Sequence, residues 1–406
     1  MKQSDFVIIG AGIVGLTIAL ELKKRHPDSS VVVVEKEVSP GLHSSGRNSG
    51  VLHSGIYYPP NTLKAKVCSK GAKELMDYCE RKDLPLLKCG KILVATRHED
   101  DPQIDFLLQN AKENNIDAEE IDQHQLKSIE PDAFSISERA ILVSSTSVAD
   151  SKLVLKEICN DAESKGIKIL NQTYIKKVDV KKRCIRLNND SSLNYGHLVN
   201  SAGLQADKIA HSFGIGRRYK ILPFKGIYWK LSKSSGINLN HLIYPVPDLR
   251  VPFLGVHATL STSGEIYLGP TAVPSFGREN YSGFDDLNIY EGSRILLSIF
   301  KQIIYGKNGF RRLAWSEGRR MFKPWFLEAS RAIIPKLKSE NLLRSSKIGI
   351  RAQLYDEKEG VLVNDFMIKN GPNSTHILNA ISPAWTSSFP FARYVVDIIN
   401  GENSGY

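Results

Sequence analysis

The first 35 residues of the chain follow a strand–loop–helix–strand pattern that ends on an acidic residue. The parts are a β-rich run at 6–9, Gly10, Gly12 and Gly15 in G-x-G-x-x-G spacing, an amphipathic helix to about Arg25, a second β-rich run at 31–34, and Glu35. This order is typical of the first unit of a Rossmann-like parallel sheet that binds a dinucleotide at the helix N-terminus. The sequence therefore predicts an α/β fold.

Each residue of this motif has a physical role. We expect Gly10 to form the tight turn, Gly12 to let a pyrophosphate approach the backbone, and Gly15 to let helix and strand pack closely. The N–H groups and the positive dipole of the helix N-terminus favour the phosphates. Glu35 is placed to accept hydrogen bonds from a ribose diol, and we group Lys36 with it among the cofactor-binding residues. The motif leaves NAD and FAD open.

Three later segments favour FAD. The first, at 41–60, is a Gly/Ser-rich loop and short helix with polar side chains around it. Its backbone can lie against a large flat ring, whereas a plain NAD domain would continue with its next β-α-β unit. The predicted cofactor contacts in this segment are His43, Ser44, Asn48, Ser49 and Gly50.

The second segment, at 197–207, is a buried strand that runs into a small-residue turn at Ala202 and Gly203. Such a turn can approach the cofactor closely, as a glycine loop does. A predicted strand pair at 167–175 precedes it and is expected to bring Ile175 over the adenine.

The third segment, at 375–388, leads into a predicted helix at 391–399, whose start is marked by Pro383 and several hydroxyl residues. The positive end of that helix can stabilise the negative charge of a reduced flavin. Its predicted cofactor contacts are Ser382, Ala384, Thr386 and Ser387. The three segments together predict FAD as the cofactor.

Seven motifs in order along the chain resemble the L-2-hydroxyglutarate dehydrogenase/oxidase family, within the FAD-dependent, D-amino-acid-oxidase-like superfamily. They are H-S-S-G-R-N-S-G-V-L-H-S-G-I-Y-Y (43–58), N-S-A-G-L-Q-A-D (200–207), I-Y-P-V-P-D (243–248), P-F-L-G-V-H (252–257), Y-L-G-P-T-A (267–272), G-I-R-A-Q (349–353) and S-P-A-W-T-S-S (382–388). The chain departs from the family pattern at Ile227, where an acidic residue is usual, and at Trp385, which replaces a smaller residue.

The resemblance implies FAD, a two-domain fold and oxidation of a 2-hydroxy acid to the 2-oxo acid, with L-2-hydroxyglutarate to 2-oxoglutarate as the first expectation. It also implies that a membrane quinone or oxygen accepts the electrons. Such an oxidation needs a base for the hydroxyl proton, a flavin N5 that accepts the hydride, and cations that hold the carboxylate.

Two histidines are candidates for the base, because a neutral imidazole accepts a proton near neutral pH. The motif context selects His53 and His257. Arg351 is predicted to hold the substrate carboxylate. The predicted substrate contacts are Tyr57, Tyr58, Tyr244 and Lys225, with Arg250 as a weaker candidate.

The order of strand and helix patterns predicts two interleaved domains. A Rossmann-like FAD-binding domain is predicted at 1–85, 146–219 and 347–406, and a smaller, mixed or antiparallel-sheet substrate domain at 86–145 and 220–346. Within the substrate domain the patterns predict a strand at 252–260 and helices at 287–305 and 317–331.

The net charge of +11 is concentrated in one segment, because residues 301–350 hold 12 Lys or Arg and 3 acids. Large aromatics alternate there with five cations: Arg311, Arg312, Arg319, Arg320 and Lys323. Aromatic rings beside cations are typical of a surface that contacts an anionic bilayer. The segment therefore suggests peripheral membrane contact, against the simpler interpretation that the aromatics are core.

The cysteines, the hydropathy and the absence of certain motifs argue against several other classes of protein. Five scattered cysteines without a C-x-x-C pair indicate a reducing, cytoplasmic setting, and no metal site is expected. The sequence has no apolar stretch of 18 residues for a membrane span and no RNA-binding motif, so no nucleic-acid partner is expected. The alternatives left open are an amine or amino-acid oxidase of the same superfamily, an RNA-binding flavoprotein and a non-enzymatic FAD-binding module.

Overall fold

The computed structural model describes residues 2–248, 253–282, 289–305 and 310–402. Its strands are β1 (Lys2–Ile9), β2 (Val31–Val34), β3 (Val51–Leu52), β4 (Leu86–Leu87), β5 (Lys91–Val94), β6 (Glu119–Asp122), β7 (Arg139–Val143), β8 (Ser147–Ala149), β9 (Lys168–Leu170), β10 (Ile175–Asp179), β11 (Cys184–Leu187), β12 (Ser192–Asn200), β13 (Tyr219–Leu231), β14 (Leu242–Pro245), β15 (His257–Leu260), β16 (Ile266–Gly269), β17 (Val273–Pro274), β18 (Leu342–Asp356), β19 (Val361–Leu362), β20 (Met367–Gly371) and β21 (Ser374–Asn379). Its helices are α1 (Ile13–Arg25), α2 (Leu63–Arg81), α3 (Asp101–Glu113), α4 (Gln123–Ile129), α5 (Ser151–Ser164), α6 (Ala206–Ser212), α7 (Ile289–Tyr305), α8 (Phe310–Arg319), α9 (Lys323–Arg331) and α10 (Ser388–Asn400).

The chain divides into two compact units, each built from separate segments. Unit 1 comprises residues 1–48, 151–223 and 351–406, and unit 2 comprises residues 49–150 and 224–350. Two of the crossings between units fall within strands, β13 and β18.

The division differs from the predicted one at residues 49–85 and 146–150, which belong to unit 2 and not to the dinucleotide domain, and the crossings in β13 and β18 lie four residues later than predicted. The physical reason at 49–85 is packing, because Val51, Ile56 and Tyr57 belong to the main hydrophobic core of unit 2. Unit 2 is also the larger of the two by residue count, whereas a smaller second domain was expected.

Unit 1 is built on a sheet with strand order β10-β11-β12-β1-β2-β9, and β21 and β20 extend it beside β12. The central strand β1 pairs in parallel with both β12 and β2. Its residues Val7 and Ile8 are fully buried, as expected for a parallel strand covered on both faces. Helices α1 and α10 pack against each other. This is the predicted Rossmann-like arrangement.

The predicted strand pair at 167–175 does not form. Strand β9 pairs with β2 and β10 pairs with β11, so the two lie at opposite edges of the sheet. The reason is that β9 continues the parallel sheet after α5, whereas β10, β11 and β12 form an antiparallel meander. Ile175 therefore starts an edge strand and packs, half-buried, on the unit 1 core.

Unit 2 contains a mixed sheet in which the strands follow the order β13-β16-β15-β14-β5-β7-β6. Most pairs are antiparallel, but β14 and β5 are parallel. Strand β5 is central and buried along its whole length. The main hydrophobic core of the unit packs on this sheet and includes Ile92, Ile243 and Phe326.

Two predicted elements of unit 2 are shorter than expected. The predicted helix at 317–331 is two helices, because α8 ends at Arg319 and α9 begins at Lys323 with Pro324 in its first turn. Proline fits a first helical turn but not a helix interior, since it lacks the N–H group. The predicted strand at 252–260 contains only β15, and residue 252 lies outside the described residues.

A buried carboxylate fixes the start of β14. Glu130 is fully buried, and its Oε1 accepts hydrogen bonds from the backbone N–H groups of Asn240 (2.6 Å) and His241 (2.5 Å). The same oxygen lies 2.9 Å from His241 Nδ1. The carboxylate therefore satisfies several donors that lead into the strand carrying Tyr244.

We expect Glu130→Ala to lower the free energy of unfolding by about 2–4 kcal/mol, because it removes a buried carboxylate that accepts hydrogen bonds from two backbone N–H groups. Urea unfolding of the FAD-loaded protein measures this. Glu119→Ala, at an exposed position of β6, is the matched control and should stay within about 0.5 kcal/mol of wild type. Equal stability of the two variants would contradict the role given to Glu130.

Candidate active site

In the glycine loop of unit 1, at 10–15, backbone atoms fill the space beside Gly10 and Gly15. Gly10 has a positive φ of +99°, and its N–H donates to the Val34 carbonyl at 2.8 Å. A Cβ on Gly10 would lie 2.7 Å from the Ser201 carbonyl oxygen, and a Cβ on Gly15 would lie 2.0 Å from the Gly10 oxygen. Neither position has space for a side chain, which agrees with the roles predicted for these glycines.

The turn at 201–203 lies against this loop. The N–H and Oγ of Ser201 both donate to the Ile9 carbonyl, at 3.0 and 2.9 Å. Ala202 follows, and Gly203 has a positive φ of +51° with nothing within 4 Å of an added Cβ. The structure thus brings two predicted cofactor segments together and leaves open space at Gly203.

Glu35 is buried at the end of β2 and holds two backbone groups. Its Oε2 accepts from Ala11 N at 2.8 Å and its Oε1 from Glu37 N at 2.9 Å. Lys36 and His43, both predicted cofactor contacts, each bind Glu37, with His43 Nε2 at 2.9 Å. The hydrogen bond from Lys36 is the main cause that holds the pKa of Glu37 below its usual value.

The predicted short helix after Gly41 is a series of turns, and it contains a contact that sequence reasoning missed. Ser45 Oγ accepts from the Ile13 N–H at 3.0 Å, and a Cβ on Gly12 would lie 2.9 Å from the same oxygen. Asn48 Nδ2 donates to the Ser45 carbonyl at 2.7 Å. The sequence feature that could have indicated Ser45 is its hydroxyl in the H-S-S-G motif, next to the predicted contact Ser44.

The turn before α10 buries polar atoms without protein partners. Within the described part of the chain, Trp385 Nε1, Ser387 Oγ and Ser388 Oγ have no hydrogen-bond partner. Thr17 Oγ1 of α1 donates to the Ser388 carbonyl at 3.2 Å. The helix begins at Ser388, so Pro383 lies in the turn and does not mark the first helical residue.

The residues of unit 1 fit FAD. The glycine loop meets the N-terminus of α1, and Glu35 lies at the end of β2. In the described part of the turn before α10, Trp385 Nε1, Ser387 Oγ and Ser388 Oγ are buried polar atoms with no partner. A ligand rich in phosphate, hydroxyl and ring-nitrogen atoms would satisfy such groups. Individual contacts to the cofactor stay predictions.

A second group of predicted site residues meets in unit 2. The Tyr244 and His257 rings stack with centroids 3.8 Å apart and planes 14° from parallel. His53 lies close enough to His257 for the His257 charge to act on it, and both are buried, with exposures of 8% and 6%. Tyr57 joins this group because it shares with Tyr244 a contact to Lys91, a residue that the sequence analysis did not select.

Lys91 lies on the central strand β5. Its Nζ lies 4.5 Å from the centre of the Tyr57 ring and 5.6 Å from that of Tyr244. The side chain is fully buried. The signal in the sequence was a lysine inside an apolar run, G-K-I-L-V-A at 90–95, where a charge is expensive unless it has a function.

Burial and nearby charge set the protonation of this group. Burial, with the charges of Lys91 and His257, lowers the pKa of His53 to about 3. Burial and the Lys91 charge likewise lower the pKa of His257 to about 3, although a hydrogen bond to Gly255 opposes the shift. Burial also raises the pKa of the Tyr57 and Tyr244 hydroxyls. Both imidazoles are therefore neutral at neutral pH.

Other predicted substrate residues are spread over both units. Tyr58 stands edge-on to Tyr57, with ring centres 6.4 Å apart. Lys225 Nζ, on β13, donates to Asn280 Oδ1 at 2.8 Å, and burial lowers the pKa of this lysine. Arg351 lies on β18 in unit 1. Arg250 is outside the described residues.

Two predicted cofactor contacts fall in unit 2, namely Ser49 and Gly50. Gly50 has a positive φ of +79°, and a Cβ there would lie 2.1 Å from the Ala149 oxygen. Its carbonyl accepts from Ala149 N at 2.9 Å. The glycine is therefore required where the chain enters β3.

Comparison with known proteins defines the class of this chain. The model of the FAD dependent oxidoreductase family matches residues 5–398. The L-α-glycerophosphate oxidase of Mycoplasma pneumoniae, solved with FAD bound, superposes with a TM-score of 0.77 at 22% identity, over 98% of this chain and 95% of that one. An L-proline dehydrogenase from P. horikoshii superposes with a TM-score of 0.73 at 19% identity, over 99% and 95% of the two chains. These structures share the fold.

Curated relatives extend the match at higher identity. The L-2-hydroxyglutarate dehydrogenase of Indibacter alkaliphilus is 36% identical over 96% of this chain and 97% of its own length. That of Escherichia coli K12 is 31% identical over 97% and 92%. The chain belongs to the FAD-dependent oxidoreductase family, and its cofactor is FAD. The predictions of fold class, cofactor and family resemblance are confirmed.

We expect Gly15→Ala to lose bound FAD, because the new methyl group would collide with the Gly10 carbonyl and displace the loop that meets α1. The ratio of flavin to protein absorbance after desalting measures the loss. Gly318→Ala in α8 is the control, since no atom lies within 4 Å of an added Cβ there. Full flavin content in both variants would contradict the role of Gly15.

Proposed function

We propose that this protein oxidises a 2-hydroxy acid, first of all L-2-hydroxyglutarate, to the corresponding 2-oxo acid. The curated relatives at 31–36% identity carry that activity in their names and align along nearly the whole chain. The observation that carries the proposal is the pair of buried, neutral histidines, His53 and His257, grouped with Tyr57 and Tyr244 in unit 2. Bound FAD supplies the acceptor for the hydride that leaves the substrate carbon.

His257 is held in a state suited to a base. Its Nδ1 lies 3.0 Å from the Gly255 carbonyl oxygen, which only accepts, so Nδ1 carries the hydrogen and donates it. The lone pair is then on Nε2, which is the atom we assign to take the hydroxyl proton. The stacked Tyr244 ring fixes the plane of the imidazole. His53 is the second candidate base.

Arg351 and Lys225 are proposed to hold the substrate carboxylates, since both are cations; Arg351 lies in the G-I-R-A-Q motif on β18 and Lys225 on β13. Electrons are proposed to pass from the reduced flavin to a quinone or oxygen.

Ile227 forms two hydrogen bonds with Thr271. The Ile227 N–H donates to Thr271 Oγ1, and the Ile227 carbonyl accepts from the Thr271 N–H, each at 3.1 Å. An acidic residue is usual at this position in the family, and Ile227 has no charge there. A test of which 2-hydroxy acid reduces the flavin is therefore informative.

The substrate is tested by anaerobic reduction of the bound flavin. We expect L-2-hydroxyglutarate to bleach the flavin with kcat/KM in the ordinary enzyme range of about 10⁴–10⁸ M⁻¹s⁻¹. Other 2-hydroxy acids, D-2-hydroxyglutarate and a set of amino acids are the comparison arms. Faster reduction by an amino acid would replace the proposal with an amino-acid oxidase, and faster reduction by another 2-hydroxy acid would change the substrate.

The base is tested with His257→Gln and His53→Gln. Loss of a general base should slow flavin reduction by about 10²–10⁴-fold. FAD content should be unchanged, because both residues lie in unit 2 and the glycine loop in unit 1. Reduction within about threefold of wild type in both variants would remove these histidines from the reaction.

We further propose that the protein associates with an anionic membrane through helices α7, α8 and α9. The expectation that their aromatics are core fails for most of them: Trp315 is 70% and Phe322 65% exposed, although Phe326 is buried. We name the exposed residues the α7–α9 apolar face: Leu296, Leu297, Phe300, Ile304, Trp315, Met321, Phe322 and Trp325. Among described residues, no helix is long and apolar enough to span a bilayer.

The cations of this face have different roles. The Arg319 guanidinium lies 3.4 Å from the centre of the Trp325 ring, and Lys323 Nζ lies 5.2 Å from that of Trp229. Arg320 pairs with Glu317, a buried carboxylate that also accepts from Ala272 N at 2.7 Å. Arg319 and Lys323 are therefore the cations to change, since reversal at Arg320 would disturb the fold.

We expect the wild type to sediment with phosphatidylglycerol vesicles but not with phosphatidylcholine vesicles, and to dissociate at high salt. Each cation near an anionic surface contributes about 1 kcal/mol, so Arg319→Glu with Lys323→Glu should abolish binding while flavin reduction is kept. Lys112→Glu with Lys127→Glu, at exposed sites on α3 and α4, is the control with the same change in charge. Equal binding by the two double variants would reject this surface.

A further inference from the structure

Lys91 is a fully buried cation whose Nζ has no hydrogen-bond partner among the residues described. It lies on β5, between β14 and β7, in the middle of the unit 2 sheet. An ammonium group buried without an acid destabilises a fold, so such a group is retained where it has a function. Its role is not explained by the reaction steps assigned above.

Aromatic rings define the place of the Lys91 ammonium. Its Nζ lies 4.5 Å from the centre of the Tyr57 ring and 5.6 Å from that of Tyr244. The negative faces of such rings attract a cation in place of an anionic partner. Tyr244 in turn stacks on His257. The cation is therefore held beside the imidazoles by packing, independently of any substrate.

The titratable groups around Lys91 come from four other parts of unit 2. They are His53 and Tyr57 after β3, Cys68 on α2, Tyr244 on β14 and His257 on β15. Cys68 Sγ donates to the His53 carbonyl at 3.2 Å. Among the residues that the structure describes, no carboxylate is part of this group. A positive charge here is therefore not neutralised, and the histidines experience it.

The exposed fractions of the side chains show whether Lys91 can contact a ligand directly or acts only through the histidines. His53 and His257 keep 8% and 6% of their surface accessible, whereas Lys91 keeps 0%. A carboxylate ligand would need access to Nζ, which is covered. The lysine can act on the imidazoles only through its field, since no hydrogen bond joins it to them.

We propose that Lys91 is a positioning residue that acts electrostatically on His53 and His257, and that its ammonium group opposes protonation of both imidazoles at acid pH. The proposal rests on the proposed function, because it assigns Lys91 a role only if a neutral histidine serves as base. Burial lowers the pKa of Lys91 to about 7, so the charge is present below that pH and is lost above it.

The test compares Lys91→Met with wild type in the FAD-loaded, full-length protein. Methionine has a similar length and removes a buried charge, so the variant is expected to fold at least as well. Lys91→Gln is the second variant. Lys82→Met is the control, because Lys82 also lies over a tyrosine ring, that of Tyr78 at 5.9 Å, but is exposed.

The decisive measurement is the pH profile of flavin reduction by L-2-hydroxyglutarate. Loss of the Lys91 charge raises the imidazole pKa, so the acid limb should move up by about one pH unit in Lys91→Met. The rate should then be about tenfold lower at a pH below both acid limbs. It should be within about threefold of wild type above pH 8, where the Lys91 ammonium of the wild type has lost its charge. Lys82→Met should follow the wild-type profile.

Two results would overturn the proposal. One is an acid limb at the same pH in Lys91→Met and wild type, and the other is an equal loss of rate at every pH, which indicates a structural role. Histidine NMR titration of wild type and Lys91→Met supplies a readout that needs no substrate, with His53→Gln and His257→Gln for assignment. If no 2-hydroxy acid reduces the wild-type flavin, the proposed function fails, and the titration still decides whether Lys91 controls the imidazoles.

Discussion

The approach of Gly15 to the Gly10 carbonyl is the contact on which the rest of unit 1 depends. A side chain at Gly15 would lie 2.0 Å from that oxygen, so α1 can start where it does only because both positions are glycine. The same loop is held by Val34, by Ser201 and by the Glu35 carboxylate on Ala11. The glycine loop, the end of β2 and the turn at Ser201 are far apart in sequence and meet at this contact. The place where unit 1 can hold FAD depends on it.

The glycine loop could be predicted from the sequence because its requirements are local. Gly10 has a positive φ, Gly15 meets the Gly10 carbonyl five residues away, and Glu35 follows the next strand, although Gly10 and Gly12 also face the distant Ser201 and Ser45. Ser45 could not be singled out, because its partner Ile13 is 32 residues away. The predicted place of 49–85 in the dinucleotide domain differs from the observed units for a similar reason, since it depends on the packing of Val51, Ile56 and Tyr57 with residues far along the chain.

Lys91 shows a different limit of sequence reasoning. A lysine in a short apolar strand is normally read as a solvated edge position, and only the neighbours β14 and β7 make β5 central. The polar groups that surround it are held in neutral forms by burial, which costs stability but leaves an imidazole free to accept a proton. In the proposed reaction this dry surrounding keeps the histidines unprotonated near neutral pH, while the lowered pKa makes each imidazole a weaker base.

The strand order of unit 1 also determines when the protein can fold during synthesis. Strand β1 is made first, but its partner β12 follows about 190 residues later, and β21 beside β12 is among the last strands made. Strand β2 can pair with β1 early, but at about 5–20 residues per second the edge of β1 that β12 covers stays unpaired for tens of seconds on the ribosome. Pairings so distant in sequence form slowly. A nascent chain of this kind therefore depends on protection from aggregation until its C-terminal third has emerged.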